Sequence, residues 1–325
     1  LAWKQQVPLL MANLTGALRL LTGLGWPLIY ATAALFYRRR HHKPLAEIRL
    51  EEEQSVEVVG LAASMVYAVV IWWKHSLNLW DAGILVAIYV GYLAVLRRMP
   101  AEDEENIQEL ELVPRTIVHA PPAARTAAIV GLFMVGGALI YFMAEPFLSS
   151  LLALSASLGV PNFVFVQWVA PFVSEFPEKV SALYWARTVE RASTALMNMV
   201  SSNINQWTLL AAMLPIVFSI SAGAPASIPL DGQQEVELLL TLAQQTLGLM
   251  FLLEMRLTWR QAAGLFALWA AQFALSTVGS QAHRYVSAIY FAWAALEAAR
   301  MARRKRRPPA VRLFGVMWRR HVGPA

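Results

Sequence analysis

Asn198-Met-Val-Ser-Ser-Asn-Ile-Asn-Gln206 strings amide and hydroxyl side chains along a stretch with apolar surroundings. Asn198, Ser202 and Asn205 fall at i, i+4 and i+7, so a helix through this run carries them on one face. Ser201 and Asn203 flank that face, and Gln206 lies just beyond it. Polar groups are costly in hydrocarbon; they turn toward a bundle interior or a water-filled cavity and mark ion paths. Upstream, Ser174-Glu-Phe-Pro-Glu178 sets two carboxylates around a proline, again between apolar flanks. Glu175 and Glu178 are i, i+3 and share a helix face, with Ser174 one turn before Glu178. Pro177 removes a backbone donor and disrupts the turn before it. The carbonyls freed there can act as cation ligands. Adjacent carboxylates disfavour each other's ionisation, so such a pair suits exchange of a bound proton for a cation. The plainer alternative makes Glu178 and Lys179 a solvated cap at the membrane interface.

The rest of the chain supplies the membrane. Of its 325 residues, 58% are hydrophobic and 15% charged, with a mean hydropathy of +0.48. Soluble domains carry about 25% charged residues. Nine apolar segments, at 8–37, 56–73, 78–96, 127–148, 150–187, 193–219, 236–253, 261–278 and 284–300, each reach the roughly 17 residues a span requires. The fold class expected is all-α: a polytopic helical membrane protein with inverted repeats and a broken helix at the ion site. Cys is absent, which excludes disulfides, thiol chemistry and zinc-thiolate sites. The net charge of +6 sits in short basic clusters between spans, so it reads as topology and not as a nucleic-acid surface. The chain begins with Leu1, and no signal peptide precedes the first span. The expectation is an N-terminally truncated sequence with earlier spans missing.

Basic residues follow every odd-numbered span. They are Arg38-Arg-Arg-His-His-Lys43, Arg97-Arg98, the group Lys179, Arg187 and Arg191, the pair Arg256 and Arg260, and Arg303-Arg-Lys-Arg-Arg307. The opposite loops are poor in charge. By the positive-inside rule the odd ends, and with them the C-terminus, are cytoplasmic in a multi-pass plasma-membrane protein. Between spans three and four, 98–125 holds Glu102-Asp-Glu-Glu105, Glu109, Glu111 and Pro114, Pro121 and Pro122. This reads as a solvated acidic connector.

Asn13-Leu-Thr-Gly-Ala17 in span one repeats the spacing of Asn198-Met-Val-Ser-Ser202 in span six: an Asn, then small residues three and four positions on. The two spans cross in opposite directions, as inverted transporter repeats do. Small residues here also let helices approach closely, which is the ordinary packing alternative for the first copy.

At these motifs the chain resembles the calcium/cation antiporter superfamily, which includes sodium/calcium and proton/calcium exchangers. Ser174-Glu-Phe-Pro-Glu178 answers the family's Gly-Thr-Ser-x-Pro-Glu type motif, and Asn198 to Gln206 its Gly-Asn-x-x-Gly-Ser-Asn-x-x-Asn type motif. Pro177 and Glu178 match the Pro-Glu, while Asn198, Ser202 and Asn203 match in register. Ser201 replaces a Gly, Gln206 the last Asn and Val173 the Gly before the hydroxyl; Leu18 stands where the first repeat would have a second Asn, and Glu175 is an added carboxylate. The pattern is similar to a divergent prokaryotic branch labelled sodium:proton or sodium/calcium exchanger.

The resemblance implies secondary active antiport of sodium and/or protons for a cation such as calcium. It implies no cofactor, with Na+, H+ or Ca2+ as transported ligands and inorganic cations and the lipid bilayer as partners. The ion-binding set would be Glu178, Glu175, Ser174, Asn198, Ser202 and Asn203, with Asn13 and Thr15 from the first repeat; Glu178 and Asn198 would be the metal ligands. Spans one and four would slide or rock past the rigid pair of motif helices. The domains implied are 1–97 as the remainder of the first repeat, 98–125 the linker, 126–280 the second repeat, 281–302 an extra span and 303–325 a basic cytoplasmic tail. Two leading helices, including the one with the first repeat's acidic ligand, would be missing.

Two other classes remain. An intramembrane enzyme needs a catalytic set, and the chain has no Gly-x-Ser-x-Gly, no His-Glu-x-x-His and no paired aspartates in spans. His41, His42 and His283 are expected in loops, as solvated side chains. A membrane scaffold, or a fragment without ion exchange, would not need a carboxylate pair beside an amide-rich helix. Glu145, in Ala144-Glu145-Pro146, is open between a further ion or proton group and an interfacial cap.

Overall fold

The computed structural model describes residues 1–100, 112–276, 280–304 and 307–322. The acidic run at 102–111 lies outside the described residues. Two compact units emerge, Leu1–Met99 with Phe163–Ala325, and Pro100–Asn162. The second unit holds α5 (Leu112–His119) and α6 (Pro122–Ser157). α6 is continuous through 148–150, where two spans were expected to meet. Pro146 lies inside it, and the helix stops only at Leu158, just before Gly159 with its left-handed φ of +65°.

The first unit repeats one pattern twice. In the first pass, α1 (Val7–Leu20), a wide π turn (Leu21–Gly25) and α2 (Trp26–His41) form one long helix. Then come β1 (Glu47–Arg49), α3 (Ser55–Trp73), β2 (Ser76–Leu77) and α4 (Leu79–Leu96). The second pass runs α9 (Ala192–Asn205), a π turn (Gln206–Leu210), α10 (Ala211–Ala222), β3 (Ile228–Pro229), α11 (Gly232–Leu252), β4 (Arg256–Thr258) and α12 (Trp259–Ala274). Each π turn begins eight residues after the motif asparagine, Asn13 or Asn198, so the register of the sequence repeat is also a structural register. The strands pair crosswise and antiparallel. Ile48 stands opposite Leu257, and Leu77 opposite Ile228, so the first strand of each half meets the second strand of the other. α4 and α12 begin with matching capping boxes, Asn78 with Asp81 and Thr258 with Gln261.

Among the described residues, five helices are long and apolar enough to cross a bilayer: Val7–His41, Ser55–Trp73, Leu79–Leu96, Pro122–Ser157 and Val189–Ala222. On α3 and α4 the apolar side chains Val66, Val69, Ile84 and Val90 face outward. Contiguous outward apolar surface of this kind is a membrane-facing feature, since soluble monomers rarely show it. Lipid tails are as apolar as leucine, so helix association here draws on close packing and internal hydrogen bonds. Both are present. Trp26, Leu61, Leu196, Met199 and Ile204 are fully buried at the centre. α11 runs through the middle against α13 (Ser280–Arg303), α3 and α1.

Gly16 shows how tight the packing is. A Cβ there would lie 1.8 Å from the carbonyl oxygen of Gln167, on α7 (Asn162–Ser174), and backbone cannot yield as a side chain tip can. Gly16→Ala is expected to force α1 and α7 apart and lower the thermal midpoint by several degrees, in line with an overpacking cost of about 1–3 kcal/mol. A melt of the purified variant checks it; an unchanged midpoint would disprove that close approach.

Beyond α13 the basic tail is a helix, α14 (Pro309–His321), where only a tail was expected. Ala310, Leu313, Phe314 and Met317 repeat at helical spacing and pack inward, while Arg319 and Arg320 stay exposed. The Ala310 N–H donates to the carbonyl of Leu253, and Arg304 grips both oxygens of Glu254 at 2.9 and 2.7 Å. Nearby, Arg49 on the same strand and Arg256 across the β1–β4 ladder donate to Glu47 and hold its carboxyl below the usual carboxylate range.

Candidate functional site

The break in the fifth span comes one residue into the Ser174–Glu178 motif. α7 ends at Ser174, and α8 (Phe176–Ala186) begins at Phe176. Glu175 stands between them as the non-helical residue, φ −97° and ψ 6°. Pro177 occupies the first turn of α8, where a missing N–H costs nothing and the ring's fixed φ favours helix initiation. Proline thus starts a new helix here, and the residue whose backbone bends is the added carboxylate.

Glu175 is engaged on both oxygens. Gln206 donates its Nε2 to Oε1 at 2.6 Å, and Lys179 donates its Nζ to Oε2 at 2.9 Å. Gln206 opens the second π turn, a distortion that recurs at functional sites. Its own Oε1 is buried and has no hydrogen-bond partner. Lys179 is only 5% exposed, so a solvated interfacial cap does not describe it. Glu178 is half-buried on the first turn of α8.

The other expected site residues separate into three groups. Asn198 and Ser202 are half-buried, with Asn205 exposed, so the polar face of α9 borders open space. Among the described residues, the side chains of Asn13, Asn198, Ser202 and Glu178 make no hydrogen bond to protein, which leaves their oxygens available as ligands. Asn203 is fully buried and tied elsewhere. It donates to Thr22 in the first π turn at 3.1 Å and accepts from Gln245 of α11 at 3.2 Å, while Gln245 also donates to the Leu18 carbonyl. Thr15 is buried and caps the Met11 carbonyl of its own helix at 2.7 Å; Ser174 is exposed. Among the described residues no three His, Asp or Glu side chains gather as a metal site. A cation held at Glu175 or Glu178 would therefore draw further ligands from amide, hydroxyl or carbonyl oxygens, as hard cations accept.

Lys179, Gln206, Thr22 and Gln245 complete this picture, and none of them stands among the ligands drawn from the motifs. A second polar cluster also went unread. Arg19 on α1 reaches Glu237 on α11 at 2.7 Å, and Gln167 on α7 and His283 on α13 bind the same carboxylate at 2.8 and 2.6 Å. All four side chains are buried. His283, expected in a solvated loop, is instead 3% exposed inside α13. Its partner Glu237, 46 residues earlier, explains why. The signal available was Arg19, a charge inside the apolar first span, which is by default a pointer to an internal partner.

Residues 128–278 match the family described as "Sodium/calcium exchanger protein". Among solved structures, the H+/Ca2+ exchanger CAX is 31% identical, covers 98% of this chain and 78% of its own, and superposes with a TM-score of 0.87. The sodium-calcium exchanger NCX_Mj is 18% identical, covers 84% of this chain and 78% of its own, and has a TM-score of 0.54, a likeness of fold. Comparison with curated protein sequences gave no match. With the twofold helical pattern, the interrupted membrane helix and these likenesses together, the chain belongs to the calcium/cation antiporter superfamily of membrane exchangers.

Proposed function

We propose that the chain is a secondary active antiporter, taking sodium or protons in one direction and a cation such as calcium in the other. The observation that carries this is Glu175: a carboxylate at the break of a membrane helix, already neutralised by a buried cationic side chain. The family's description speaks for sodium and calcium, and the 31% identical structure is of a proton/calcium exchanger. Glu175 and Glu178 supply the charge. Asn198 and Ser202 of the open α9 face, with Ser174, Asn203, Asn13 and Thr15, belong to the wider oxygen shell. Residues 1–97 and 126–280 act as the two repeats, joined by the linker at 98–125. The span at 281–302 and the tail at 303–325 are additions. The basic ends of the odd spans put the C-terminus on the cytoplasmic side of a plasma membrane.

A bound cation stabilises the folded chain by mass action, about 2.7 kcal/mol at a hundredfold excess over Kd. Calcium, and at higher concentration sodium, is therefore expected to raise the thermal midpoint of the purified chain in detergent. Potassium at matched ionic strength serves as the control. No shift with calcium, sodium or pH would favour a membrane scaffold over an exchanger.

A further inference from the structure

We propose that Lys179 is a built-in competitor of the transported cation: its ammonium occupies the Glu175 carboxylate while the site is unloaded, and loading displaces it. This rests on reading Glu175 as a cation-binding carboxylate.

Lys179 lies one turn along from Glu175, and a helical side chain leans back over the turn before its own Cα. That direction carries Nζ to the break, 2.9 Å from Glu175 Oε2. On a protein surface an i, i+4 pair of this kind contributes little. Here the two side chains are 6% and 12% exposed, and lysine is almost never buried without a partner. Gln206 donates to the other oxygen, so a cation that coordinates Glu175 must use the lone pairs left beside these two donors, one of them an ammonium.

Cation and ammonium would then crowd one carboxylate. The ammonium is the one that must go, because two positive charges a few ångströms apart repel strongly in a partly desolvated site. It also leaves readily, being a compact charge on a flexible four-carbon stem. Gln206 can stay. Rotating its amide would turn the Oε1 that now lacks a partner toward an incoming cation.

Competition of this form gives the empty carrier a purpose for Lys179. An unpaired carboxylate in a desolvated helix break is costly. With Lys179 in place, the unloaded site carries the same charge at Glu175 as it does with one monovalent cation bound.

Calorimetric titration of the purified full chain with calcium chloride tests this across four proteins: wild type, Lys179→Gln, Lys179→Arg and Glu175→Gln. Lys179→Gln removes the competitor and is expected to tighten calcium binding by about tenfold, the lower end of what a neighbouring cation does to a carboxylate's ion affinity. Lys179→Arg retains a competitor able to grip the carboxylate through two N–H groups and is expected to weaken binding. If Lys179→Gln does not fold, Lys179→Arg alone decides: unchanged or tighter binding overturns the proposal. Unchanged or weaker binding in Lys179→Gln, with binding weakened tenfold or more in Glu175→Gln, makes Lys179 a structural partner only and leaves the site standing. Calcium binding as tight in Glu175→Gln as in the wild type means the site itself is elsewhere.

Discussion

Glu237→Ala is expected to destabilise the protein by about 3–5 kcal/mol, the usual cost of removing one member of a buried ion pair. The loss exceeds that of the contact alone because Arg19, itself 0% exposed, keeps its charge and has no water to turn to. Gln167 and His283 lose their shared acceptor in the same step. Because these four side chains come from α1, α7, α11 and α13, the damage is expected to spread through the first unit and not to stay at one helix end. Replacing both charged partners, Arg19→Leu with Glu237→Leu, is expected to recover much of the loss, since an apolar pair strands no charge. Thermal unfolding of the wild type and the two variants in detergent measures this. Equal destabilisation by the single and double variants would show that the ion pair is not what holds these helices.

Glu175→Gln is expected to abolish exchange, at a smaller cost in stability than Glu237→Ala because the amide oxygen remains an acceptor for the Lys179 amine. The substitution keeps the shape while removing the charge that a cation needs. A charge-assisted contact contributes about 1.5–3 kcal/mol. At tenfold per 1.4 kcal/mol, its loss weakens cation binding roughly 10- to 100-fold. Counter-flux in proteoliposomes, calcium uptake against a sodium or proton gradient, should fall by a similar factor, with the melting midpoint in the absence of cations lowered less than in Glu237→Ala. Wild-type flux in Glu175→Gln would remove this carboxylate from transport. Glu178→Gln, made in parallel, shows how the two carboxylates share the work.

Where the sequence was legible, the signal was local. The break near Ser174–Glu178 was visible because proline and two acids interrupt an apolar run, and the structure sets it at Glu175, two residues before the proline. The repeat was visible through Asn13 and Asn198, and the two π turns fall in the same register. Pairings across long sequence distance were not legible. Asn203 meets Thr22 across 181 residues, and Gln245 meets the Leu18 carbonyl across 227. His283 looked like a loop residue because a short apolar segment says nothing about which side of it will face a carboxylate on another helix. Lys179 looked like a positive-inside marker for the same reason; only the turn of α8 brings its amine back to Glu175. The helix at Pro309–His321 was hidden because the basic run Arg303–Arg307 ahead of it set the reading of the whole segment, though its apolar positions keep helical spacing.

The most direct measurement is a structure of the chain determined with strontium in place of calcium, locating the ion by anomalous scattering. The account predicts strontium at the break between α7 and α8, coordinated by a Glu175 oxygen at slightly more than the roughly 2.3–2.6 Å of calcium. It also predicts that the Lys179 amine will have moved off that carboxylate. Strontium bound only at Glu237, or an ion at the break with Lys179 still bonded to Glu175 Oε2, would contradict it.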